Sequence, residues 1–296
     1  MLKLQRNYRL EVEDDLGNIQ IIKYPLTLDF NIERNTMASA NTGDFTIFNL
    51  SETTRNLIKK CIASLDDQRT INFYAGYGSE LPNKPNLPLV FSGAVNSNLS
   101  TRDPGSVDWM TNINAKDPGI AITGEASISF GAGSFQTDNV TTLITKFMPG
   151  IEVGRIGHLF DDFPKLLRGN TYNGSVLSNL RKITNGNFFI DNGKAYILAP
   201  NECLPSQGFD TIDASTGLLG SPSYDGQFIQ VSVVFEPRIV MGQIVNLDSK
   251  ETWLNGLHKI IAYSHSGRIS GSSGGDCITQ ISLNAPLDSR GLVVLP

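Results

Sequence analysis

Residues 228–235 read FIQVSVVF, in which apolar and polar side chains alternate as they do along a half-buried β-strand. Comparable runs follow at intervals and are separated by turn-forming segments: RIVMGQIVNLD (238–248), GLHKIIAYSHSG (256–267) and DCITQISLNA (276–285). Short strands divided by turns are typical of compact antiparallel β folds. We therefore predict a small barrel or sandwich over residues 213–296.

The segment just before this first run, TGLLGSPSYDGQ (216–227), places Ser221, Ser223 and Asp225 in a glycine-rich setting. Such a loop could present a nucleophile and a carboxylate, but the GxSxG pattern of hydrolase elbows is absent. Asp-Gly is a common turn pair, and proline restricts the backbone beside it. We interpret the segment as a loop that orients the next strand.

Residues 1–119 also have a mainly β pattern, with Leu28, Phe30 and Ile32 alternating with polar residues. Further strand candidates are FTIFNL (45–50), INFYAGY (71–77), LVFSGAV (89–95) and SVDWMTNINA (106–115). A helix capped by Ser51 interrupts them, with Glu52 in its first turn and one apolar face formed by Leu57, Ile58, Cys61, Ile62 and Leu65. The prolines of residues 79–88 indicate an extended connection. This part predicts a second β domain.

Residues 120–212 differ in character, with apolar spacing that predicts helices at 139–148 and 174–184. They are followed by NFFIDNGKAYIL (187–198), where Asn192 and Gly193 predict a tight hairpin turn. The fold class is therefore mainly β (α+β). A small α/β domain at 120–212 is flanked by small antiparallel β-barrel domains at 1–119 and 213–296.

The composition argues against a protein that binds nucleic acid tightly, because only 18% of the 296 residues are charged and the formal charge is −5. No cluster of Lys and Arg supplies the phosphate contacts that such binding needs. Cys61, Cys203 and Cys277 are odd in number and far apart, which indicates free thiols in a reducing compartment. No signal peptide or membrane span is apparent, so we expect no stable membrane anchor and folding in the cytoplasm.

The histidines favour no metal site. His258 and His265 are seven residues apart on a predicted strand and should face opposite sides. His158 has Asp161 and Asp162 nearby, which leaves a ligand set or a hydrolytic site open, although such a segment before a proline is more often a solvated loop. We predict no metal ligand, no cofactor and no catalytic residue.

Other candidate motifs also lack the context that their chemistry needs. The segments GNFFIDNGK (186–194) and GAG (131–133) do not match phosphate or dinucleotide loops. Ser264 and Ser266 flank His265 but point away from it on a strand. The remaining candidates are adjacent carboxylates, interpreted as turn or surface charge, and isolated tryptophans, interpreted as core or interface anchors: Asp14 with Asp15, Asp66 with Asp67, Asp161 with Asp162, Trp109 and Trp253.

Three stretches together resemble the central hub proteins of bacteriophage tail baseplates, which are related to type VI secretion spike hubs. The first is FNIERNTMASANTGDFTIFNLSETTRNLIKK (30–60), similar to the first barrel of that family, and the second is RGNTYNGSVLSNLRKITNGNFFIDNGKAYIL (168–198), similar to its inserted domain. The third combines GLLGSP (217–222), FEPRIVMGQIVNLDS (235–249) and NGLHKIIAYSHSG (255–267), which resemble its second barrel. A lysozyme-like insertion and a long β-helical extension are not recognisable in this sequence.

The resemblance implies a homotrimer in which two barrels per chain make a near six-fold ring of tube domains. Such a ring joins a six-fold tail tube to a three-fold spike and forms part of the DNA ejection channel. The implied partners are further copies of the chain, a tail tube or distal tube protein and a spike protein, with a tape measure protein as a further candidate. DNA would only pass through, since three chains carry about −15 at three times −5.

The implied role is therefore a structural, non-enzymatic virion component of the tail baseplate, assembled in the host cytoplasm. Two alternatives stay open from the sequence. One is a cell-wall hydrolase associated with the tail, with His158, Asp161 or Asp162 at work. The other is a type VI or tailocin-like spike hub. A receptor-binding tail protein is a further alternative, but such proteins usually carry fibrous repeats or carbohydrate-binding aromatic patches. The tryptophans of this sequence are isolated.

Overall fold

The computed structural model describes residues 5–36, 41–59, 69–78, 87–117, 124–272, 274–285 and 291–296. In the first part of the chain the described elements are β1 (Arg6–Glu13), β2 (Ile19–Lys23), β3 (Leu28–Asn35), β4 (Asn41–Phe48), α1 (Glu52–Ile58), β5 (Thr70–Tyr77), β6 (Leu89–Thr101) and β7 (Met110–Asp117). The predicted strands of this part are confirmed. The predicted helix face at Cys61, Ile62 and Leu65, and most of the proline-rich connection, lie outside the described residues.

The middle of the chain combines helices with short strands. Its elements are β8 (Glu125–Phe130), α2 (Gln136–Phe147), β9 (Glu152–Ile156), β10 (Asn170–Ser175), α3 (Val176–Ile183), β11 (Phe188–Asp191), β12 (Lys194–Ile197), β13 (Glu202–Cys203) and β14 (Thr211–Ile212). Both predicted helices and the predicted hairpin β11–β12 are confirmed. The last part contains β15 (Leu218–Tyr224), β16 (Phe228–Val234), β17 (Ile244–Leu247), β18 (Gly256–Ile269), β19 (Cys277–Asn284) and β20 (Val293–Val294).

The helix starts follow from local capping. The Ser51 hydroxyl accepts a hydrogen bond from the Thr54 N–H at 3.1 Å, as predicted for α1. Helix α2 begins three residues before its predicted start because a neighbouring loop, not a side chain, satisfies its first turn. The N–H of Gln136 donates to the Pro164 carbonyl at 2.8 Å.

The segment 216–227 is not simply a loop, which corrects the sequence interpretation. Leu218–Tyr224 forms strand β15, an edge strand that pairs antiparallel with β16. The register shifts between Leu219 and Ser223, and Pro222 lies in this irregular stretch, where a missing N–H is tolerated. The turn itself comprises residues 225–227, in which Gly226 has a φ of 95°, as the Asp-Gly pair predicts.

Strand β18 joins the opening and closing parts of the chain into one sheet. Its first residues pair with β17, and from Ala262 onward it pairs antiparallel with β3, while β19 lies along its other side. A bulge between Ile260 and Ala262 separates the two pairings. The main path through the sheet is therefore β15-β16-β19-β18-β3-β4-β7-β6-β5-β1-β2.

The structure is mainly β, with large antiparallel sheets, as predicted. Within the described residues no ladder closes either end of the path into a barrel. The two-barrel description and the domain boundaries at 119/120 and 212/213 therefore stay predictions. None of the described helices is both long and apolar enough to cross a membrane.

Three hydrophobic clusters fill the molecule. The first lies among β1–β7 but also contains Phe235, Ile269 and Cys277 from the last part of the chain. The second is formed mainly by the last part and includes Phe189 and Leu198 from the middle. The third packs α2 and α3 against the short strands of the middle part. The three parts of the chain therefore share buried surfaces.

Candidate functional site

A buried polar network is organised around the Arg34 side chain, which is only 1% exposed. On β3 the side chains of Leu28, Phe30 and Ile32 are buried, and Arg34 occupies the next inward position of the same alternation. A guanidinium at such a position requires partners because a buried charge without them is very costly.

The partners of Arg34 come from three different elements. Its Nη1 pairs with the Asp191 carboxylate and lies 3.6 Å from Oδ2 of Asp117. Its Nη2 donates to the Val90 carbonyl at 3.0 Å and to Oδ1 of Asn192 at 2.6 Å. One side chain therefore connects β3, β6, β7 and the β11–β12 hairpin.

The tip of that hairpin is held by the Asp117 carboxylate at the end of β7. Asn192 and Gly193 have φ angles of 48° and 73°, the left-handed values that their residue types tolerate. Their N–H groups donate to Asp117 at 2.7 and 3.3 Å. Asn41 adds a hydrogen bond from its amide to the Ile190 carbonyl at 2.9 Å. The middle part is thus docked on the first β part through a buried polar network.

Burial raises the pKa of the Asp117 carboxyl, and Arg34 and the two hairpin N–H groups only partly offset this. Arg34 is the charged group that lowers the pKa of Asp117 against the effect of burial. Sequence reasoning missed these residues. The signal was available, since Arg34 continues the buried positions of β3 and Asp117 continues those of Ile113 and Ala115 on β7.

A second junction, apolar in nature, joins the last part of the chain to the first core. The buried ring of Phe235 lies 5.6 Å from the Phe30 ring and 6.3 Å from the Tyr77 ring, measured between centroids. The Tyr77 hydroxyl donates to the Phe235 carbonyl at 2.8 Å. His265 packs edge-on against the same ring at 5.3 Å. This cluster fixes β18 and β19 against the first β part.

His265 gives the junction a dependence on pH. Burial lowers its pKa from 6.5 to about 3, so the folded chain keeps this imidazole neutral where an unfolded chain binds a proton. Its contribution to the free energy of unfolding is therefore complete above pH 6.5 and is lost as the pH falls from 6.5 toward 3. Urea unfolding at pH 7, 6 and 5 should show a fall approaching about 1.4 kcal/mol per pH unit from this group.

The matched variant for this prediction is His265→Gln, which retains a polar group that does not titrate. We expect its free energy of unfolding to fall less steeply with acidification than that of the wild type. Burial lowers the pKa of His258 as well, so some dependence on pH remains in the variant. Equal slopes for the two proteins would contradict the assignment to His265.

The candidate ligand set around His158 is not assembled. Both the backbone N–H and Nδ1 of His158 lie 2.7 Å from Oε1 of Glu202, while Asp161 and Asp162 are exposed. The Asp161 N–H donates to the His158 carbonyl at 3.0 Å and closes a turn. Burial alone would raise the pKa of Glu202, but hydrogen bonds from His158 and Ala199 lower it. The pair stabilises a loop.

The other histidines have separate partners. Nε2 of His258 lies 2.8 Å from the Leu254 carbonyl, and Nδ1 of His265 lies 2.8 Å from the Thr279 hydroxyl. The bulge in β18 breaks the simple alternation on which their opposite orientation was predicted, and both are buried. Among the described residues no group of three or more His, Cys, Asp or Glu could hold a metal ion.

The cysteines and polar turns also have local roles. Cys203 and Cys277 are buried free thiols, and burial raises the pKa of Cys203 to about 11. Asp225 accepts the N–H groups of Gln227 and Phe228 at 2.8 and 2.7 Å, which makes it a turn residue.

The remaining candidate residues have equally local settings. Asp14 accepts the N–H groups of the turn that follows it, whereas Asp66, Asp67 and Cys61 lie outside the described residues. Ser264 and Ser266 lie on β18, GNFFIDNGK includes the β11–β12 hairpin, and GAG precedes α2. Trp109 is covered by the Arg55 guanidinium at 4.1 Å. Trp253 is 61% exposed beside Tyr224.

Solved structures with a similar fold include tail proteins and a type VI secretion component. A tail protein from Neisseria meningitidis matches 97% of this chain and 99% of its own length, at a TM-score of 0.60 and 11% identity. The 43 kDa tail protein of prophage MuSo2 from Shewanella oneidensis matches 96% of this chain and 100% of its own, at a TM-score of 0.59 and 12% identity. The chain has a phage tail protein fold.

A third match connects this fold to type VI secretion. The match is to an Escherichia coli component of that system, described as structurally similar to the bacteriophage T4 tail proteins gp27 and gp5. It covers 88% of this chain and 74% of the matched chain. Its TM-score is 0.54 and its identity 8%. No protein-family profile and no curated protein sequence matches the chain. The tail-like or type VI hub-like fold is therefore supported by structural similarity at identities of 8–12%.

Proposed function

We propose that this protein is the trimeric central hub of a phage tail baseplate, joining a six-fold tail tube to a three-fold spike. The observation that carries the proposal is the match of nearly the entire chain to complete tail proteins. In this role the β parts at 1–119 and 213–296 are tube domains and the part at 120–212 is an inserted domain. The protein acts by assembly and not by catalysis.

The sheet offers a physical route to such a ring. Strands β2 and β15 form the two ends of the main path and have no further partner strand within the described residues. Exposed strand edges promote pairing between chains, and a closed ring removes them. Ile19 and Ile21 on β2, and Leu219 on β15, are exposed apolar side chains at these edges. In the trimer these edges meet neighbouring chains.

The proposed partners are a tail tube or distal tube protein on one side and a spike protein on the other, with a tape measure protein as a further candidate. The acidic chain lets DNA pass without adhesion. The proposed location is the virion tail. A type VI or tailocin-like spike hub is the second candidate, favoured by the match to the Escherichia coli type VI component.

The proposal predicts a defined mass in solution. Three copies of a 32.3 kDa chain have a mass of about 97 kDa, and size-exclusion chromatography with light scattering at micromolar concentration should show this species. A mass near that of one chain under these conditions, together with failure to bind purified tube and spike proteins, would count against the hub. A trimer that binds neither partner would argue for another tail position.

A further inference from the structure

The strand arrangement of the first part of the chain is repeated in the last part. The antiparallel pairs β3–β4 and β6–β7 lie side by side through β4 and β7, which gives the order β3-β4-β7-β6. The pairs β15–β16 and β18–β19 lie side by side through β16 and β19, which gives the order β15-β16-β19-β18. An additional strand, β5 or β17, pairs with the first residues of β6 or β18. The chain therefore contains one topological unit twice.

The two units also correspond residue by residue along their last long strands. β6 spans 13 residues and β18 spans 14, and each has a bulge, at residues 95–97 of β6 and 260–262 of β18. In each unit the ladder with the additional strand ends one residue before the bulge. Aligning the bulges places Thr101 of β6 at the position that Ser266 has on β18.

The same alignment can be followed across the ladders to the far strand of each unit. Successive opposing residues are Ser97, Asn114, Asp44 and Asn31 in the first unit, and Ala262, Ser282, Gln230 and Ser223 in the second. The position of Ser223 on β15 therefore corresponds to that of Asn31 on β3.

Within the chain the two units are joined by outer strands. From Ala262 to Ile269, β18 pairs antiparallel with β3, and Ser266 lies opposite Asn31. The corresponding strands, β6 and β15, are the outer strands at the other ends of the two units. Among the described residues, residues 96–101 of β6 pair only with β7 and β15 pairs only with β16. The two free edges are thus the counterparts of the two joined edges.

Tyr224 gives a second sign that the edge of β15 is incomplete. This residue occupies the position of Ile32, which is fully buried and lies opposite His265 at the joined edges. Tyr224 itself is 39% exposed, and the ring of Trp253, 61% exposed, packs edge-on against it at 6.0 Å. A position that the joined edges cover is therefore uncovered at β15.

We propose that β15 of one copy pairs antiparallel with residues 96–101 of β6 of a second copy, with Ser223 opposite Thr101. The pairing repeats the β18–β3 ladder between chains, so that the free backbone N–H and C=O groups of the two edges bond to each other. Because the two edges differ, the contact is head-to-tail and can close into a ring. The inference deepens the proposed hub and rests on it, since it names the strands that join the copies.

The side chains on the two faces of the sheet support this register. Asn31 and Ser266 lie on a polar face that is not buried, and Thr101 and Ser223 have the same character. With Ser223 opposite Thr101, this polar face continues from one copy to the next while Tyr224 faces the buried side. A slip of one residue would turn every side chain of β15 to the opposite face.

The experiment joins the two edges covalently in the full chain, by combining Thr101→Cys with Ser223→Cys. Opposing residues of an antiparallel pair have Cα atoms about 4.5–5.5 Å apart, within the range that a disulfide spans. After mild oxidation we expect a species with the mass of three chains on a denaturing gel, which a reductant returns to single chains. Either single variant should give at least tenfold less of this species.

Asn31→Cys with Ser266→Cys is the matched control, because these residues form the corresponding pair within one chain. It should lose its two added thiols on oxidation without a change in mass. Ile21→Cys with Ser223→Cys tests the exposed edge of β2 as the alternative partner and should remain as single chains.

Light scattering before oxidation reports assembly independently of the cross-links. A trimer that does not cross-link through positions 101 and 223, or that cross-links through 21 and 223, would overturn the inference and leave the hub standing. A double variant and a wild type that both stay single chains would reject the pairing and the hub together.

Discussion

Replacing Arg34 with methionine is expected to lower the free energy of unfolding by about 3–5 kcal/mol. The substitution leaves the carboxylates of Asp117 and Asp191 buried without their cation, while the volume of the side chain is largely kept. It also removes the hydrogen bonds to the Val90 carbonyl and the Asn192 amide. The effect is therefore the cost of uncompensated buried charge and not of a cavity.

Urea unfolding at pH 7.5 measures this change, and Arg268→Met provides the control. Arg268 on β18 makes a two-point pair with Asp29 on β3, the strand that carries Arg34, but this pair lies at the surface. Exposed ion pairs contribute little, so the control should unfold nearly like the wild type. Since burial already raises the pKa of Asp117, the Arg34→Met effect should shrink at acidic pH. Equal effects for the two variants would contradict the network.

Replacing Phe235 with alanine is expected to cost about 3–5 kcal/mol as well, for a different reason. The ring is fully buried between Phe30, Tyr77 and His265, and its removal leaves a cavity at the junction of the last and first parts of the chain. The Tyr77 hydrogen bond to the backbone carbonyl of residue 235 survives. The loss at pH 7.5 is therefore one of packing, because His265 is neutral at that pH in both the folded and the unfolded chain.

Phe163→Ala is the matched control, because the Phe163 side chain is 69% exposed. Its free energy of unfolding should stay near that of the wild type. Hydrogen exchange adds a spatial test: in Phe235→Ala, protection should fall in β18 and β19 and in β5, which carries Tyr77. A loss confined to residues near position 235, with the first β part unaffected, would show that the two parts are not coupled through this ring.

The elements that the sequence predicts well are those specified locally. The alternation in β3 and β16, the Ser51 cap of α1 and the Asn192–Gly193 turn each depend on residues close together in the chain. These features follow from side-chain period, capping and turn chemistry, which a single sequence displays. Strand and helix positions were accordingly confirmed for most described residues.

What the sequence does not display is which distant strands become neighbours. The 14-residue strand β18 pairs with β17 and then β3, and a bulge between Ile260 and Ala262 allows the change. The alternation of β15 is obscured by Gly220 and Pro222, so an edge strand has the composition of a loop. Pairing of this kind depends on long-range contacts that local propensity does not encode.

The residues of the candidate site fall between these cases. The inward position of Arg34 can be inferred by extending the period of Leu28, Phe30 and Ile32 by one step, which predicts a buried cation in need of partners. Its partner Asp191 is 157 residues away and belongs to a hairpin predicted on other grounds. The need for a partner was thus predictable, but the identity of the partner was not.

Electron microscopy of the purified particle, viewed down its axis, tests the central claim most directly. The account predicts a three-fold ring with a central passage, in which each chain contributes two wall segments and the part at 120–212 lies outside the wall. A single-chain particle, or a closed assembly with no passage along its axis, would contradict the hub.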